Sequence, residues 1–361
     1  YVWIKNNILR IKTHIIDQNV ISSFANLGFP LKRIGLSFFV KCHHDCRGAI
    51  TLHQVCLMNE TFFPFLEAYG IDNTLTLQAS QTGLNDFLKR AGLDVVETDL
   101  GEYIIQQAGE TPSHIVGPAL HKSKEEVAEI FHKAHRTPLK TGIEELCLEA
   151  RGVLREHFLK AEVGIIGANA LIAENGYSML VTNEGNGDLC ANLPNVLIVC
   201  ATIDRVLPRA TDATAMLRLL VRSATGQAQT CYTSFYSGPR REQDIDGPLE
   251  THIVLLDNRR TEILASDYRE MLQCIRCGAC LNHCPIYAGV GGHAYGWVYP
   301  GPMGSILTPL LTSLEQSNAL PNACTSCGRC AEVCPADIPL PDLLRDLRHD
   351  ETKQKLSSSR W

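Results

Sequence analysis

The sequence predicts an α/β domain with a mostly parallel sheet, followed by a smaller, mostly helical domain. Between residues 83 and 258, short apolar strand patterns alternate with amphipathic helix patterns, which is typical of a parallel sheet covered by helices. Between residues 261 and 350, apolar helical stretches surround two runs of cysteines. We therefore predict three parts: residues 1–82, which show little clear periodicity and stay unassigned, the α/β domain at 83–258, and the helical domain at 259–361.

The elements of the α/β domain can be followed along the chain. After a helix pattern in LNDFLKRAG, the sequence predicts a strand at 94–98, a helix in DLGEYIIQQAG and a strand at 113–120. Ser123 with Glu126, and Thr141 with Glu144, have capping-box spacing and predict the starts of two helices. The remaining strands predicted for the same sheet are VGIIGA, SMLVTN, NVLIVCA, TCYTSFY and HIVLLD.

Length and composition are those of an ordinary globular protein. Of the 361 residues, 45% are hydrophobic and 20% are charged, which provides enough apolar side chains for a substantial core. The formal net charge of -6 gives no electrostatic reason to expect nucleic acid as a partner. The longest apolar runs fall short of the roughly 20 residues of a transmembrane helix, and the first residues lack secretory-signal features. We expect a cytoplasmic protein without a transmembrane segment.

Eight of the fifteen cysteines lie in two copies of one pattern. In a chain without a secretory signal, this many cysteines indicate metal or redox chemistry rather than disulfides. Each copy reads C-x2-C-x2-C-x3-C-P, the ferredoxin run in which three cysteines bind one [4Fe–4S] cluster and the fourth reaches the other cluster. The copies are Cys274, Cys277, Cys280 and Cys284 with Pro285, and Cys324, Cys327, Cys330 and Cys334 with Pro335.

The spacing therefore predicts two [4Fe–4S] clusters with crossed ligation. Gly278 and Gly328 lie at the same point of the two loops, where the backbone has to pass close to a cluster and donate N–H groups to sulfur. Two zinc sites are the alternative, but zinc does not explain the third cysteine at the same interval or the repeated Cys-Pro. We assign Cys274, Cys277, Cys280 and Cys334 to the first cluster, and Cys324, Cys327, Cys330 and Cys284 to the second.

One loop of the α/β domain is a candidate ligand site. The stretch TNEGNGD at 182–188 follows a predicted strand, and ligands of such sheets bind at the carboxyl ends of strands. Asn183, Glu184, Gly185 and Asn186 could hold a small anion through backbone N–H groups, with Glu184 as an acid or base. The alternative is a polar turn whose glycines and asparagines only satisfy the backbone.

Other cysteines and histidines have structural interpretations. Four cysteines lie in or beside apolar elements, so we predict buried small side chains rather than ligands; they are Cys147, Cys190, Cys200 and Cys231. A lone histidine is more often structural than a proton carrier, and we expect structural roles for His114, His121 and His293.

A cysteine- and histidine-rich stretch at residues 41–56 suggests a zinc knuckle as one hypothesis. The surrounding sequence has little of the periodicity or turn pattern that would hold such a site, so we favour an ordinary segment. The residues concerned are Cys42, His43, His44, Cys46, His53 and Cys56.

Six longer motifs give the chain a specific resemblance to a known family. In chain order they are ETDLGEYIIQ (97–106), PSHIVGPALH (112–121), GANALIAENG (167–176), TNEGNG (182–187), DGPLETHIVLLDN (246–258) and CIRCGACLNHCPIY with GGHAYGWVYPGP (274–302). With these motifs in this order, residues 83–350 resemble the family of iron–sulfur B subunits of the bacterial L-lactate utilization complex.

The resemblance implies a fold and a role. The family joins a lactate-utilization α/β domain, similar to the sugar-phosphate isomerase type of sheet, to a helical ferredoxin domain with two [4Fe–4S] clusters. By this resemblance the chain acts with two partner subunits to oxidise L-lactate to pyruvate, and electrons pass onward to a partner or the quinone pool. The chain would then be an electron-transfer subunit rather than the catalytic subunit, and any membrane association would come through its partners.

Two alternatives stay open at this point. One is an electron-transfer subunit for another 2-hydroxy acid such as glycolate, or for a heterodisulfide-type reductase, because such assemblies share the helical cluster domain. The other is an α/β protein that binds a ligand at the 182–188 loop and uses the clusters as redox sensors.

The resemblance does not extend to residues 1–82. The family has a lysine-rich loop immediately before the GLNDFL stretch, and this chain has TLTLQASQT in that place. One hypothesis is that residues 1–82 are a divergent, misassigned or frame-shifted reading of this region. The family also continues beyond the point that corresponds to Trp361, so we expect the carboxyl end to be short.

Overall fold

The computed structural model describes residues 37–41, 73–76, 84–90 and 92–356, so the hypothetical zinc knuckle lies outside the described residues. The strands are β1 Ser37–Lys41, β2 Asn73–Thr76, β3 Asp94–Glu97, β4 Val163–Gly167, β5 Ala170–Ile172, β6 Tyr177–Thr182, β7 Val196–Thr202, β8 Val206–Leu207, β9 Tyr232–Tyr236 and β10 Glu250–Leu256. The helices of the α/β domain are α1 Leu84–Arg90, α2 Leu100–Ala108, α3 Lys124–His135, α4 Ile143–Lys160, α5 Asn186–Asn192 and α6 Ala210–Thr225. Those of the helical domain are α7 Arg260–Leu264, α8 Ala279–Asn282, α9 Pro285–Val290, α10 Gly301–Leu311, α11 Leu314–Ser317, α12 Ala319–Asn322, α13 Arg329–Glu332 and α14 Leu340–Lys353.

The main sheet confirms the prediction of a mostly parallel α/β fold. Its strands lie in the order β1-β10-β7-β4-β2-β3. Every neighbouring pair is parallel except the edge pair of β1 and β10, which is antiparallel. In such a sheet the carboxyl ends of the parallel strands meet at one edge, and the loops that follow them form the usual place for a ligand.

Two predicted strands belong to a second, smaller sheet instead of the parallel one. This sheet has the order β8-β5-β6-β9, and β6 pairs antiparallel with both β5 and β9. Residues 173–176 alone connect β5 to β6, and so short a connection permits only an antiparallel hairpin. The assignment of SMLVTN and TCYTSFY to the parallel sheet was therefore wrong.

The predicted strand at 113–120 is also wrong, because this segment consists of bends and turns. The N–H of Ser113 donates to the carbonyl of Pro118 at 3.0 Å. The Nδ1 atom of His114 accepts from the N–H groups of Val116 and Gly117 at 3.1 and 3.2 Å. These local bonds satisfy the backbone groups that a neighbouring strand would otherwise bind.

Both faces of the main sheet are buried, as a parallel sheet requires. Ile165 packs with Leu84 and Leu88 of α1 on one face, whereas its neighbour Ile166 packs on the other face with the helices α2, α3 and α4. The largest side chains of that second core include Tyr103, Phe131, Leu146, Leu154 and Phe158. Helix packing on both faces makes the sheet a rigid support for the loops at its carboxyl edge.

Helix capping was predicted correctly at one of two helices. Ser123 caps α3, and the side chain of Glu126 accepts from the Ser123 N–H, which completes the capping box. At α4 the cap is Gly142, whose N–H donates to Glu145 at 3.1 Å. The predicted box of Thr141 and Glu144 therefore begins one residue too early. Glycine has no side chain that could cap the helix, so the bond from the Gly142 N–H to the Glu145 side chain is the one that forms.

The helical domain is organised around α10. Residues 301–309 of this helix are buried, and α14 packs against it. The prediction that residues 261–350 are mostly helical is confirmed. Within the described ranges, none of the helices is both long and apolar enough to cross a bilayer. The core side chains of the domain include Met271, Leu281, Met303, Ile306, Leu343, Leu344 and Leu347.

Gly164 of β4 gives a test of the packing between the sheet and α5. A Cβ atom at Gly164 would lie 1.9 Å from the backbone carbonyl of Cys190, so Gly164→Ala must displace α5 or the strand. We expect the free energy of unfolding to fall by about 1–3 kcal/mol, measured by urea denaturation. Gly152→Ala on α4 is the matched control, since nothing lies within 4 Å of its Cβ position. The control should be neutral or stabilising, and equal stability of the two variants would contradict the packing described.

Candidate functional site

The two cysteine loops have the same backbone conformation. Arg276 and Ser326, each immediately before the second cysteine of its loop, have φ angles of 59° and 57°. Gly278 and Gly328, immediately after that cysteine, have φ angles of 78° and 80°. All four residues lie in the left-handed region, which glycine adopts freely and other residues rarely adopt. The repeated sequence therefore folds into a repeated structure.

Backbone N–H groups in both loops donate to cysteine sulfur. For the first two cysteines of each loop, the donor is the residue two positions later. Each glycine turns the chain so that the N–H following it reaches the sulfur, and this pattern is how proteins stabilise thiolates that bind iron. The donor and acceptor pairs are Arg276 and Cys274, Ala279 and Cys277, Ser326 and Cys324, and Arg329 and Cys327.

Four cysteines from both runs surround one cavity of the helical domain. Its lining contains the set that the sequence assigns to the second cluster: Cys324, Cys327, Cys330 and Cys284. The first three come from one loop, and Cys284 comes from the other run, at the start of α9. The crossed arrangement that the spacing predicts thus corresponds to side chains that are neighbours in space.

The four cysteines assigned to the first cluster also lie close together. Burial raises the pKa of the Cys274 and Cys277 thiols, and the neighbouring thiol of Cys334 raises both further. Burial likewise raises the pKa of Cys280 well above its ordinary value, with Cys274 and Cys277 contributing. Cys334 therefore lies beside the loop of the first run, although 54 residues or more separate it from the other three in sequence, as 334 − 280 = 54.

The donor chemistry fits an iron–sulfur cluster better than a single metal ion. Each set contains four cysteines, the ligand set of a [4Fe–4S] cluster. In the part of the chain that the structure describes, no three His, Cys, Asp or Glu side chains are arranged to hold one metal ion. The thiols of the second set surround a cavity, which suits a cluster held among them.

The two loops differ in what covers them. Residues 111–121, which we name the covering segment, lie over the first loop: a Cβ on Gly278 would lie 3.2 Å from the His114 ring. At the equivalent Gly328 nothing lies within 4 Å. Cys277 is 7% exposed, whereas Cys327 is exposed. The first loop is therefore enclosed between the two domains, and the second loop faces solvent.

Hydrogen bonds fix the covering segment to the helical domain. The Tyr287 hydroxyl donates to the carbonyl of Ser113 at 2.8 Å, and the Nε2 atom of His293 donates to the carbonyl of Thr111 at 2.7 Å. The His114 Nε2 atom lies 3.2 Å from Asn282 Oδ1. A Cβ at Gly292 would lie 1.7 Å from the Ser113 carbonyl, so the two backbones pass in close contact.

The histidines of this region form hydrogen bonds within the fold, which is consistent with structural roles. His114 and His293 hold the covering segment through the bonds just described. His121 Nδ1 lies 2.7 Å from the Ser113 hydroxyl, and its Nε2 atom pairs with Glu110 at 2.9 Å. The His121 and His293 rings are in edge contact, with 4.4 Å between their centroids.

Of the four cysteines predicted to be buried, two are exposed. Cys190 is fully buried, and Cys200 is partly exposed. Cys147 and Cys231 are exposed, so the prediction was wrong for both. Cys147 lies on the outer face of α4, and Cys231 lies just before β9, the edge strand of the small sheet.

A buried ion cluster joins the α/β domain to the first cysteine loop. Asp204, at the end of β7, pairs with Arg260 at 2.8 Å, with Arg205 at 3.7 Å and with Arg276 at 3.9 Å. We name these four residues the arginine cluster. Burial opposes the ionisation of Asp204, but Arg205, Arg276 and Arg260 together lower its pKa to about 2. The carboxylate is therefore charged at any physiological pH.

The arginine cluster also reaches the cysteines directly. The Nη2 atom of Arg205 donates to the carbonyl of Cys274 at 2.6 Å. Arg276 lies between Cys274 and Cys277 in sequence, donates to the Thr202 hydroxyl at 3.2 Å and stacks over the ring of Tyr299 at 5.6 Å. The backbone of the first loop is thus held in place by side chains of both domains.

The predicted ligand loop lies at a cavity beside the first cysteine loop. Asn183 and Glu184 line this cavity, as do Ile275 and Arg276 of the cysteine loop. We name it the interdomain cavity. Of the other two predicted residues, Gly185 caps α5 and Asn186, which is buried, begins it.

The loop itself combines the two interpretations that the sequence leaves open. Asn183 has a structural part, because its side chain donates to Gln227 at 2.8 Å and accepts from the Cys231 N–H at 3.1 Å. Glu184 lines the cavity and is exposed to solvent. The pKa of Glu184 is raised to about 7, mainly by partial desolvation and to a smaller extent by the nearby carboxylate of Asp99. A hydrogen bond from the Leu100 N–H opposes this shift. Glu184 can therefore gain or lose a proton near neutral pH.

Sequence reasoning missed the arginine cluster. The dipeptide Asp204-Arg205 follows a predicted buried strand, which is the position where functional residues of such sheets lie. That signal could have indicated Asp204. Its partners Arg260 and Arg276 lie 56 and 72 residues further on, as 260 − 204 = 56 and 276 − 204 = 72, and no local pattern connects them.

Removal of the central carboxylate tests the arginine cluster. In Asp204→Asn, the guanidinium groups of Arg205 and Arg260 stay buried without their anion, so we expect the free energy of unfolding to fall by about 3–5 kcal/mol in urea denaturation. Asp342→Asn is the control, because it breaks only the exposed pair of Asp342 and Arg345 on α14. The control should cost less than about 1 kcal/mol. Equal effects of the two substitutions would contradict a buried, desolvated cluster.

The same pair of proteins gives a pH test. Because the pKa of Asp204 is lowered to about 2, its contribution to stability is present above the ordinary Asp pKa and is lost as the pH falls through that lower value. The stability difference between wild type and Asp204→Asn should therefore be constant at neutral pH and shrink between about pH 4 and about pH 2. A difference that persists at the acid end would show that the charge of Asp204 is not what stabilises the fold.

Comparison with known proteins agrees with this architecture. Residues 67–256 match the LUD domain, and residues 270–338 match the 4Fe-4S dicluster domain. Proteins named Lactate utilization protein B are similar over most of the chain: the one from Anoxybacillus flavithermus is 44% identical over 287 residues, and the one from Geobacillus thermodenitrificans is 45% identical over 279. The Bacillus subtilis protein of that name is 44% identical over 275 residues.

These alignments cover 79%, 77% and 76% of this chain, but 60%, 59% and 57% of the relatives. The chain thus spans about 60% of the length of the curated relatives it matches. A crystal structure of a DUF162 family protein from Deinococcus radiodurans covers 54% of this chain and 93% of that chain at 11% identity, with a TM-score of 0.24 that supports no comparison of positions. Because the LUD domain match covers just over half of the chain, the chain belongs to the LUD domain family, and a 4Fe-4S dicluster domain follows its α/β domain.

Proposed function

We propose that this chain is the iron–sulfur electron-transfer subunit of a multi-subunit complex that oxidises L-lactate to pyruvate. The observation that carries the proposal is the pair of equivalent cysteine loops, each of which lies beside the fourth cysteine of the other run. The relatives named Lactate utilization protein B, at 44% to 46% identity, support lactate as the substrate of the whole system. Their name is a property of those proteins, and the assignment to this chain is our proposal.

In this proposal the chain holds two [4Fe–4S] clusters. When bound, such clusters accept and release single electrons at potentials set by nearby hydrogen bonds, charges and burial. The N–H donors to sulfur are the same in both loops, so the surroundings of the loops set the difference between the two clusters. The ligands would be Cys274, Cys277, Cys280 and Cys334 for the first cluster, and Cys324, Cys327, Cys330 and Cys284 for the second.

The different surroundings give the two positions different parts in electron transfer. Arg205 and Arg276 lie beside the first loop, and a nearby positive charge favours the reduced, more negative form of a cluster. At the second loop, residues 325–327 are exposed. We assign the exposed second loop to electron exchange with a partner subunit, and the enclosed first loop to electron exchange across the domain interface.

The partners follow from the same reasoning. Because the proposed role of this chain is to carry electrons, another subunit has to act on lactate and an acceptor has to take up the electrons. We propose two further subunits of a lactate-oxidising complex as the partners, with the quinone pool as the final acceptor. The alternatives with glycolate or a heterodisulfide would use the same cysteines, and the relatives' names favour lactate over both.

Iron content after anaerobic reconstitution tests the two-cluster assignment. The wild-type chain should bind about eight iron atoms and, when reduced, give the EPR signal of two interacting [4Fe–4S] centres. Cys327→Ala and Cys284→Ala should each halve the iron content and leave the same remaining EPR signal, because both substitutions remove the second cluster. Cys280→Ala should also halve the iron content but leave the other signal.

Cys147→Ala is the matched control for these variants, since Cys147 is exposed on α4, far along the chain from both loops. It should bind as much iron as wild type. If Cys284→Ala left the same signal as Cys280→Ala, the ligation would not be crossed and our assignment would be wrong. Tightly bound zinc without reducible iron would overturn the proposed function as a whole.

A further inference from the structure

None of the eight cysteines of the two runs lines the interdomain cavity, yet the cavity lies beside the first cysteine loop. Its volume is about 320 Å³, within the range of small-molecule sites in proteins. Asp99, Thr182 and Glu184 of the α/β domain line it, and so do Arg276 and Tyr299 of the helical domain. A molecule bound there would contact both domains and the first cysteine loop at once.

One part of the cavity carries surplus positive charge. Arg205 and Arg276 line it, and both pair with Asp204, which pairs with Arg260 as well. Three guanidinium groups thus share one carboxylate. Arg276 is the most weakly paired at 3.9 Å, and 28% of its side chain is exposed. Arg276 is therefore the group that can donate to an anion in the cavity.

Another part of the cavity carries two acids. The carboxylates of Glu184 and Asp99 are close enough to repel each other, and the N-terminal N–H groups of α2 bind both, through Leu100 for Glu184 and through Glu102 for Asp99. The charged groups that line the cavity are these two acids with Arg205 and Arg276, and Tyr299 is the other titratable side chain. An anion with two charges would be repelled from the acids more strongly than an anion with one.

The rest of the lining combines apolar side chains with uncharged polar ones, and the polar ones are Asn169, Thr182, Asn183, Thr225, Gln227 and Thr230. Ile275 of the cysteine loop and Val116 of the covering segment contribute methyl groups, and Leu220, Val221 and Ala224 contribute one face of α6. Apolar walls favour a ligand with a carbon skeleton over an inorganic ion, because burial of its C–H groups against them is favourable. One available guanidinium, two nearby acids and an apolar wall on the side of α6 together favour a singly charged organic anion.

We propose that the interdomain cavity binds a small organic monocarboxylate, with its carboxylate at Arg276 and its carbon skeleton against α6 and Ile275. Bound there, the anion neutralises positive charge beside the first cysteine loop. It thereby stabilises the oxidised first cluster relative to the reduced one and lowers its reduction potential. The binding step stands independently of the proposed function, whereas the effect on potential rests on it.

Thermodynamic linkage between carboxylate binding and reduction gives the size of the expected change in reduction potential. If the carboxylate binds the oxidised protein more tightly than the reduced protein, the reduction potential falls by the same free energy. A tenfold preference corresponds to about 59 mV for a one-electron couple. Reduction of the first cluster would then release the anion, so that occupancy of the cavity and electron flow control each other.

Calorimetric titration of the anaerobically reconstituted full chain tests the binding. The probes are acetate, L-lactate and pyruvate, with sulfate as the inorganic anion, each at pH 6 and pH 8. We expect one site for at least one carboxylate, and at least tenfold weaker binding of sulfate. Arg276→Gln should weaken the carboxylate at least tenfold, whereas Arg155→Gln, which removes an exposed charge from α4, should leave the affinity unchanged.

Arg276 belongs to the first cysteine loop, so Arg276→Gln could fail to bind iron. Two further variants then test the same carboxylate site at residues outside that loop. Ala224→Leu fills part of the cavity from α6 and leaves the sequence of the cysteine loops unchanged, and it should weaken the carboxylate at least tenfold. Glu184→Gln removes the acid whose pKa lies at about 7. Because ionised Glu184 repels an anion, wild type should bind more tightly at pH 6 than at pH 8, and Glu184→Gln should lose this dependence.

The outcomes separate this inference from the proposed function. No binding of any of the three carboxylates to a chain with its full iron content would overturn the inference alone. So would sulfate binding as tightly as the carboxylates, or unchanged affinity in both Arg276→Gln and Ala224→Leu. Redox titration followed by EPR should show the lower potential of the first cluster with saturating carboxylate. Absence of reducible iron would overturn the proposed function, while calorimetry would still report on the cavity.

Discussion

The ionisation of one buried aspartate determines how the two domains meet. Asp204 lies just after the central strand β7, and it can stay charged in the interior only because the guanidinium groups of Arg205 beside it, of α7 and of the first cysteine loop surround it. None of these charges can be buried alone without a large desolvation cost, so each fixes the positions of the others. The cysteine loop therefore keeps one position relative to the sheet, and the cavity beside it keeps its shape.

The two cysteine loops have the same backbone conformation but different surroundings. The covering segment and the arginine cluster enclose the first loop, whereas solvent surrounds the second loop at Cys327. Backbone donors to sulfur are the same in both, so charge and burial are what distinguish them. A duplicated motif can thus serve two different positions in one electron path without any change in its own conformation.

The sequence predicts local features well and long-range pairing less well. Cysteine spacing determines the loop conformation within a few residues, and apolar alternation indicates the buried strands β4, β7 and β10. Periodicity does not say which strands pair, so it predicts β6 and β9 in the main sheet, whereas they belong to the small one. At residues 113–120 apolar side chains suggested a strand, but Pro118, Gly117 and the His114 side chain favour turns. The arginine cluster joins residues far apart in sequence, which no local pattern reveals.

The left-handed conformation of Arg276 and Ser326 has a consequence for the life of the protein in a cell. A residue with a Cβ in this region costs about 1–2 kcal/mol, and such strain persists only where the surroundings hold it. At Ser326, where the loop faces solvent, the bound cofactor would be a main source of that restraint. We therefore expect a newly made chain without iron to relax at this loop first and become a substrate for proteases, so that iron supply controls its abundance.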